Sequence, residues 1–309
     1  MTTLLYTHPI FLEHDTGLGH PESSQRLESI ARALAAPEFA ALVRKIAPRA
    51  EPERARLIHT ERHVKHVFDA IPRQGFGYLD ADTVVSPGTG EAALHAIGAV
   101  CAAVDAVFAK EANNAFCAIR PPGHHAERDD AMGFCLFNNV AIAAEHARRK
   151  HGIQRVAIVD FDVHHGNGTQ HAFDKNEEVM YCSTHQYPWY PGTGRASETG
   201  VGNVVNIPLS AGSGSAEFRA AMSGRILPAL DHFQPELLLI SAGFDAHRDD
   251  PLGDLNFVED DYAWATTQMM AIAAKYGQNR VVSMLEGGYD MDALGRSVAA
   301  HVRALMDTT

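Results

Sequence analysis

The sequence predicts a single α/β domain over residues 1–309, built as a parallel sheet with helices on both faces. Three observations carry this. Short apolar runs rich in β-branched residues recur along the chain, stretches of helical periodicity separate them, and the runs lack the in/out alternation of a sheet with one wet face. The 309 residues, 46% of them hydrophobic and 21% charged, suffice for a large core. No Pro/Gly/Ser-rich linker divides the chain, and no fixed-period repeat points to a solenoid.

The elements follow in order. Leu94, Ile97, Cys101, Val104 and Phe108 recur at three- and four-residue steps, one apolar helical face. A strand over 115–119 runs into Arg120-Pro121-Pro122-Gly123-His124-His125. A strand over 156–159 runs into Asp160-Phe161-Asp162-Val163-His164-His165-Gly166-Asn167-Gly168. After a strand over 204–207, Phe218, Met222, Ile226, Leu230 and Phe233 mark a second helix. Strands over 237–241 and 281–285 lead into Ala242-Gly243-Phe244-Asp245 and Glu286-Gly287-Gly288-Tyr289. In open α/β sheets the ligand crevice lies beyond the carboxyl ends of the strands, so four strands delivering His, Asp, Gly and Tyr predict one site.

Composition narrows the function. With 26 Lys and Arg against 38 Asp and Glu, the net charge of −12 argues against a nucleic-acid scaffold and is compatible with a cationic substrate. The 18 histidines hint at metal or acid–base chemistry. Four cysteines, none in a Cys-x-x-Cys, argue against a zinc knuckle or a disulfide framework. The start, Met1 to Pro9, has no basic segment followed by an apolar one, so no signal peptide is expected. The most apolar run, 92–109, has Glu91 at its edge and His95 and Asp105 inside, and no run is expected to span a membrane. A soluble, cytoplasmic, reduced protein is the expectation.

Asp160, Asp162 and His164 are spaced by two, which in an extended segment puts all three side chains on one side. A carboxylate and an imidazole from this strand end, with Asp245 from another, form an oxygen/nitrogen set suited to zinc or another divalent transition ion with a position left open. A histidine of the 124–125 pair can then take the proton of a water polarised by the ion, and Tyr289 can donate to a developing oxyanion. That combination is metal-assisted hydrolysis of a carbonyl compound. No Gly-x-Ser-x-Gly elbow supports a serine mechanism.

These segments resemble the zinc-dependent histone deacetylase family, from His20-Pro21-Glu22 to Gly287-Gly288-Tyr289. Arg120-Pro121-Pro122-Gly123-His124-His125-Ala126, Gly133-Phe134-Cys135 and Asp162-Val163-His164-His165-Gly166-Asn167-Gly168-Thr169-Gln170 carry most of the likeness. Asn167 and Asp250-Pro251-Leu252-Gly253 resemble class II members and bacterial deacetylase-like amidohydrolases. The resemblance implies the arginase/deacetylase fold, a central eight-stranded parallel sheet with helices on both faces. It implies Asp162, His164 and Asp245 as zinc ligands, His125 as general base backed by Asn167, His124 as an electrostatic partner backed by Asp160, and Tyr289 as the catalytic tyrosine. It further implies Gly133, Phe134, Tyr190 and Leu252 as walls of an acyl-lysine tunnel, with Tyr190 standing where the family usually has Phe. Arg26 matches the arginine of the cavity through which acetate leaves. A structural potassium ion is implied at Asp160, Asp162, His164, Ser183 and Thr184.

The resulting expectation is a zinc-dependent amidohydrolase that removes an acetyl or other short acyl group from an amine-derived amide such as acetyl-lysine, with ferrous iron as an alternative metal. An acetylpolyamine amidohydrolase is the alternative substrate reading. A two-manganese ureohydrolase and a non-enzymatic acyl-lysine binder are the competing classes. Asp80 and Asp82 are read as solvated loop charges, with a rim contact to an ammonium or a peptide backbone as the alternative, Cys135 as a buried packing residue, and His151, His171, His185 and His247 as surface or core histidines. The partners expected are an acylated lysine or small acylated amine, with no nucleic acid and no membrane; oligomeric state is left open.

Overall fold

The computed structural model describes residues 2–307. In chain order its elements are β1 (Thr3–Thr7), α1 (Gln25–Ala33), β2 (Val43–Ile46), α2 (Glu61–Asp69), β3 (Gly77–Tyr78), β4 (Val84–Val85), α3 (Thr89–Phe108), β5 (Asn114–Cys117), α4 (Asn139–His151) and β6 (Val156–Asp160). There follow α5 (Asn167–Phe173), β7 (Val179–Gln186), β8 (Val204–Leu209), α6 (Ser215–Ala221), α7 (Leu227–Phe233), β9 (Leu237–Ala242), α8 (Glu259–Tyr276), β10 (Val281–Leu285) and α9 (Met291–Asp307).

Eight strands form one all-parallel sheet in the order β2-β1-β5-β10-β9-β6-β7-β8, and β3 and β4 make a separate small hairpin. One helical layer gathers α3, α4 and α5; the other gathers α1, α8 and α9, with α6 and α7 packed on α8. The central strands β5, β6, β9 and β10 are buried along their whole length, which is why they read as uninterrupted apolar runs. An eight-stranded parallel sheet between two helical layers is what the resemblance implied.

Three strands of the sheet escape an apolar-run reading. β2 (Val-Arg-Lys-Ile) is an exposed edge whose charges protect it from pairing further. β1 is short. β7 is fully buried yet ends in Ser183, Thr184, His185 and Gln186, polar residues of which His185 bonds Ser183 Oγ (2.8 Å) and the Gly194 carbonyl (2.8 Å) and Gln186 accepts the Asp254 N–H (2.7 Å).

Two helices also depart from expectation. The stretch 218–233 is not one α-helix: a π turn over Met222–Ile226 separates α6 from α7. Pro228 has no N–H for the carbonyl four residues back and its ring crowds it, so the ladder slips there. Helix α3 is long and apolar enough, by length and composition, to cross a membrane, contrary to the expectation that no run would be. It is a core helix instead, buried over most of its circumference against α4, β5 and β10. Its polar residues are accommodated: His95 Nδ1 donates to the Ala47 carbonyl (2.9 Å), and Asp105 accepts from His146, Lys150 and His151 of α4 at 2.8–2.9 Å.

Candidate active site

The four strands that carry the motifs, β5, β10, β9 and β6, are neighbours at the centre of the sheet, so their carboxyl ends open on one spot. There Asp162, His164 and Asp245 each present a ligand atom, all within 4.8 Å of one another, and all three residues are buried. His164 Nδ1 lies 3.0 Å from Asp162 Oδ1 and 3.2 Å from Asp245 Oδ2. The remaining carboxylate oxygens are held by main-chain donors, Gly287 N–H to Asp162 Oδ2 and Val163 N–H to Asp245 Oδ1, both 2.8 Å. A Cβ at Gly287 would collide with both carboxylates, so only glycine lets this backbone approach them. β6 ends at Asp160, so extended alternation does not bring Asp162 and His164 together. Turns do: Asp160 Oδ1 accepts the Asp162 N–H (3.1 Å) and Asp162 Oδ1 accepts that of His164 (2.9 Å).

The electrostatics fit a divalent ion. Burial, with the Asp162 carboxylate beside it, pushes Asp245 up to about 7. Burial acts the same way on Asp162, but His124 and His164 outweigh it and hold that carboxyl below its usual range. Burial opposes charge on His164 as well, and the two carboxylates overcome it, raising the imidazole to about 10. Two carboxylates crowded in a dry pocket beside an imidazole are an oxygen/nitrogen donor set that a divalent cation would neutralise.

The tandem histidines differ sharply. His124 Nδ1 donates to Asp160 Oδ2 (2.9 Å), and although burial works against it, Asp160 and Asp162 raise its pKa to about 10. His125 Nδ1 lies 2.8 Å from Asn167 Oδ1; burial, then charge on His124 and His164, holds it well below the usual imidazole range. The two rings, 4.0 Å apart, are thus pushed in opposite directions, His124 toward its charged form and His125 toward its neutral one. The second pair separates: His165 turns from the cluster to Thr193 Oγ1 (2.7 Å) and Gln170 Oε1 (2.9 Å).

Beside the cluster is a cavity of about 200 Å3 lined by His125, His164 and Tyr289 together with Gly133, Phe134, Tyr190 and Leu252. Gly133 and Phe134 both have positive φ (57° and 68°), costly for Phe and held by an N–H bond from Phe134 to Thr83 Oγ1 (3.1 Å). The His20 and Phe134 rings also pack in a T-shape, centroids 4.8 Å apart. Two further residues line the cavity: Trp189, unassigned in the sequence, and Asp82, weighed there as a rim contact but read as a solvated charge. Trp189 donates its indole N–H to the Leu252 carbonyl (3.0 Å), and Asp82 lines the cavity rather than standing free in solvent.

Behind Tyr289 lies Arg26, fully buried, its guanidinium carbon 5.0 Å from the phenol ring centroid. Arg26 donates to the carbonyls of Gly288 (2.7 Å) and Glu286 and to Glu22 Oε1 (3.0 Å), and Glu22 also receives Arg120. Sequence reasoning also passed over Glu286, adjacent to the Gly-Gly-Tyr motif. Its Oε2 accepts the N–H groups of Gly123 (2.7 Å) and His124 (3.1 Å), fixing the histidine loop.

Ser183 is the register partner of Asp160 across β6 and β7, and the hydroxyl of Thr184 is buried with no hydrogen-bond partner. Cys135 is buried, and burial raises its thiol far above the usual range, as befits a packing residue. His185 and His247 are buried, while His151 is half-buried and His171 exposed.

Residues 20–305 match the family model described as the histone deacetylase domain. The chain is 38% identical over 324 residues to histone deacetylase 14, chloroplastic, of Arabidopsis thaliana, covering 98% of this chain and 76% of that one. It is 39% identical over 274 residues to a histone deacetylase-like amidohydrolase of Pseudomonas aeruginosa, covering 87% and 71%. The crystal structure of the HDA15 HD domain superposes with a TM-score of 0.92 at 34% identity, covering 99% of this chain and 91% of that one. The chain belongs to the histone deacetylase family of hydrolases and has that family's fold.

Proposed function

We propose that the chain is a zinc-dependent deacetylase, an amidohydrolase that removes an acetyl or other short acyl group from a primary-amine-derived amide such as acetyl-lysine. One observation carries the reading: three ligand atoms within 4.8 Å of one another, the unequal His124–His125 pair and Tyr289 gather around one aromatic-walled cavity. Asp162, His164 and Asp245 would hold the zinc, or ferrous iron, and Asp160 with Ser183 and Thr184 a structural potassium ion. When bound, the divalent ion supplies Lewis acidity to the amide carbonyl and to a water beside it.

The chain's own groups do the rest. Phe134 and Tyr190 grip the aliphatic stem of the amine between flat apolar faces. His125, neutral and with Nδ1 committed to Asn167, takes the water's proton on its other ring nitrogen and returns one to the leaving amine. His124, charged against Asp160, stabilises negative charge as it develops. The Tyr289 hydroxyl is held protonated by burial, which raises it well above its usual range, and donates to the oxygen that becomes anionic. Arg26, behind it, would receive the released carboxylate.

Asp82 at the cavity wall favours a second substrate class, acetylated polyamines, whose free ammonium it can meet. The deciding experiment compares turnover of an acetyl-lysine peptide, N8-acetylspermidine and acetylputrescine by zinc-loaded and iron-loaded protein, with Tyr289→Phe as control. Tyr289→Phe should keep its metal while turnover falls by about 10²-fold or more; near-normal turnover would remove the role given to Tyr289.

A further inference from the structure

Beyond Asn167 the chain of contacts from His125 continues outward. Asn167 Nδ2 donates to Glu127 Oε1 at 2.6 Å, and the same oxygen accepts from His171 Nδ1 at 2.8 Å. The Glu127 side chain is 23% exposed and His171 45%, so the path runs from the buried histidine to a surface cavity that also exposes Arg128 and Arg149. The Glu127 backbone is pinned on both sides: its N–H bonds the Asp130 carbonyl (2.9 Å), and its carbonyl accepts from His59 Nδ1 (2.8 Å).

We propose that Glu127 is a positioning residue that fixes the tautomer of His125 by orienting the amide of Asn167. An amide has one accepting and one donating end, and either can face a histidine ring. A carboxylate only accepts, so at 2.6 Å it tolerates the NH2 end of Asn167 and repels the carbonyl end. The carbonyl is thereby turned to His125 Nδ1, 2.8 Å away, which must then carry a proton. The other ring nitrogen is left bare. With the amide reversed, Asn167 would donate to Nδ1, the proton would move to the opposite nitrogen, and the ring could no longer accept one. The weaker acceptors near Asn167 Nδ2, the His125 carbonyl at 3.3 Å and Met132 Sδ at 3.4 Å, support the same orientation without enforcing it.

This inference rests on the reading of His125 as the proton acceptor, but it is tested by its own measurements. In the full chain, 15N signals of the His125 ring, assigned by their loss in His125→Asn, should show a protonated Nδ1 and a bare partner nitrogen. Glu127→Ala should mix the two tautomers, and kcat for the acetyl-lysine peptide should fall about tenfold with KM within twofold of wild type. Glu127→Gln, which can still accept from Asn167, should recover part of the loss. In the Asn167→Asp background the sign should invert. There two carboxylates would stand at the same 2.6 Å separation, no amide needs orienting, and Glu127→Ala should raise kcat about tenfold over Asn167→Asp alone. Unchanged ring signals and kcat in Glu127→Ala, or the same loss in both backgrounds, would overturn the proposal. A wild-type protein inactive on every acyl substrate whose ring signals still respond to Glu127→Ala would sink the functional reading and leave this one standing.

Discussion

Asp250 accepts the main-chain N–H of Tyr289 at 2.6 Å with the same oxygen that accepts from Asp290 (3.1 Å), while its other oxygen takes the N–H of Leu252 (3.0 Å). A single carboxylate thus ties the backbone of the phenol to the backbone of the cavity wall. Asp250→Ala should strand these donors, lowering stability by about 2–3 kcal/mol and turnover with it. Denaturant unfolding together with kinetics checks both, and a variant as stable and active as wild type would contradict the tie.

Glu22 sits between two fully buried guanidiniums, those of Arg26 and Arg120. Glu22→Gln should cost about 3–5 kcal/mol, because it leaves buried positive charge without its counter-charge. A loss under 1 kcal/mol in urea unfolding would show that the arginines find other partners.

Metal removal should be read out by stability as well as by activity. A ligand that binds only the folded state raises its stability by about 4 kcal/mol at a thousandfold excess over Kd. Adding zinc to chelator-treated protein should therefore raise Tm by several degrees. Asp245→Asn should lose most of that rise. An undiminished rise would place the ion elsewhere.

Two fully or nearly buried histidines outside the ligand cluster set an acid limit on the fold. Burial lowers His301 to about 3, where it bonds Thr266 Oγ1 (2.6 Å) and Ser283 Oγ (2.8 Å), and lowers His59 to about 3 beneath the Glu127 loop. The unfolded chain takes up these protons near pH 6.5 and the folded one does not, so stability is intact above 6.5 and falls as pH drops toward 3. Each histidine costs about 1.4 kcal/mol per pH unit in that window. Thermal melts from pH 8 to 4.5 should show Tm falling below 6.5, less steeply in His301→Gln. A Tm flat down to 4.5 would refute this.

The grouping of Asp162, His164, Asp245, the tandem histidines and Tyr289 was legible in the sequence, because all of them follow apolar runs whose burial on both faces leaves a plain signature. Residues whose work is done through backbone groups or across long separations stayed hidden. Asp250 and Glu286 bind main-chain N–H groups some 40 to 160 positions away, and Glu22 meets Arg120 at 98. Glu127 reaches Asn167 across 40 residues, and no spacing rule links them. The end of β7 hid its strand for the same reason: its polar residues are buried because of what stands beside them. Local pattern reports what a residue can do and which faces want burial. Which strand lies next to which, and so which carboxylate meets which donor, is decided only when the parallel crossovers close the sheet.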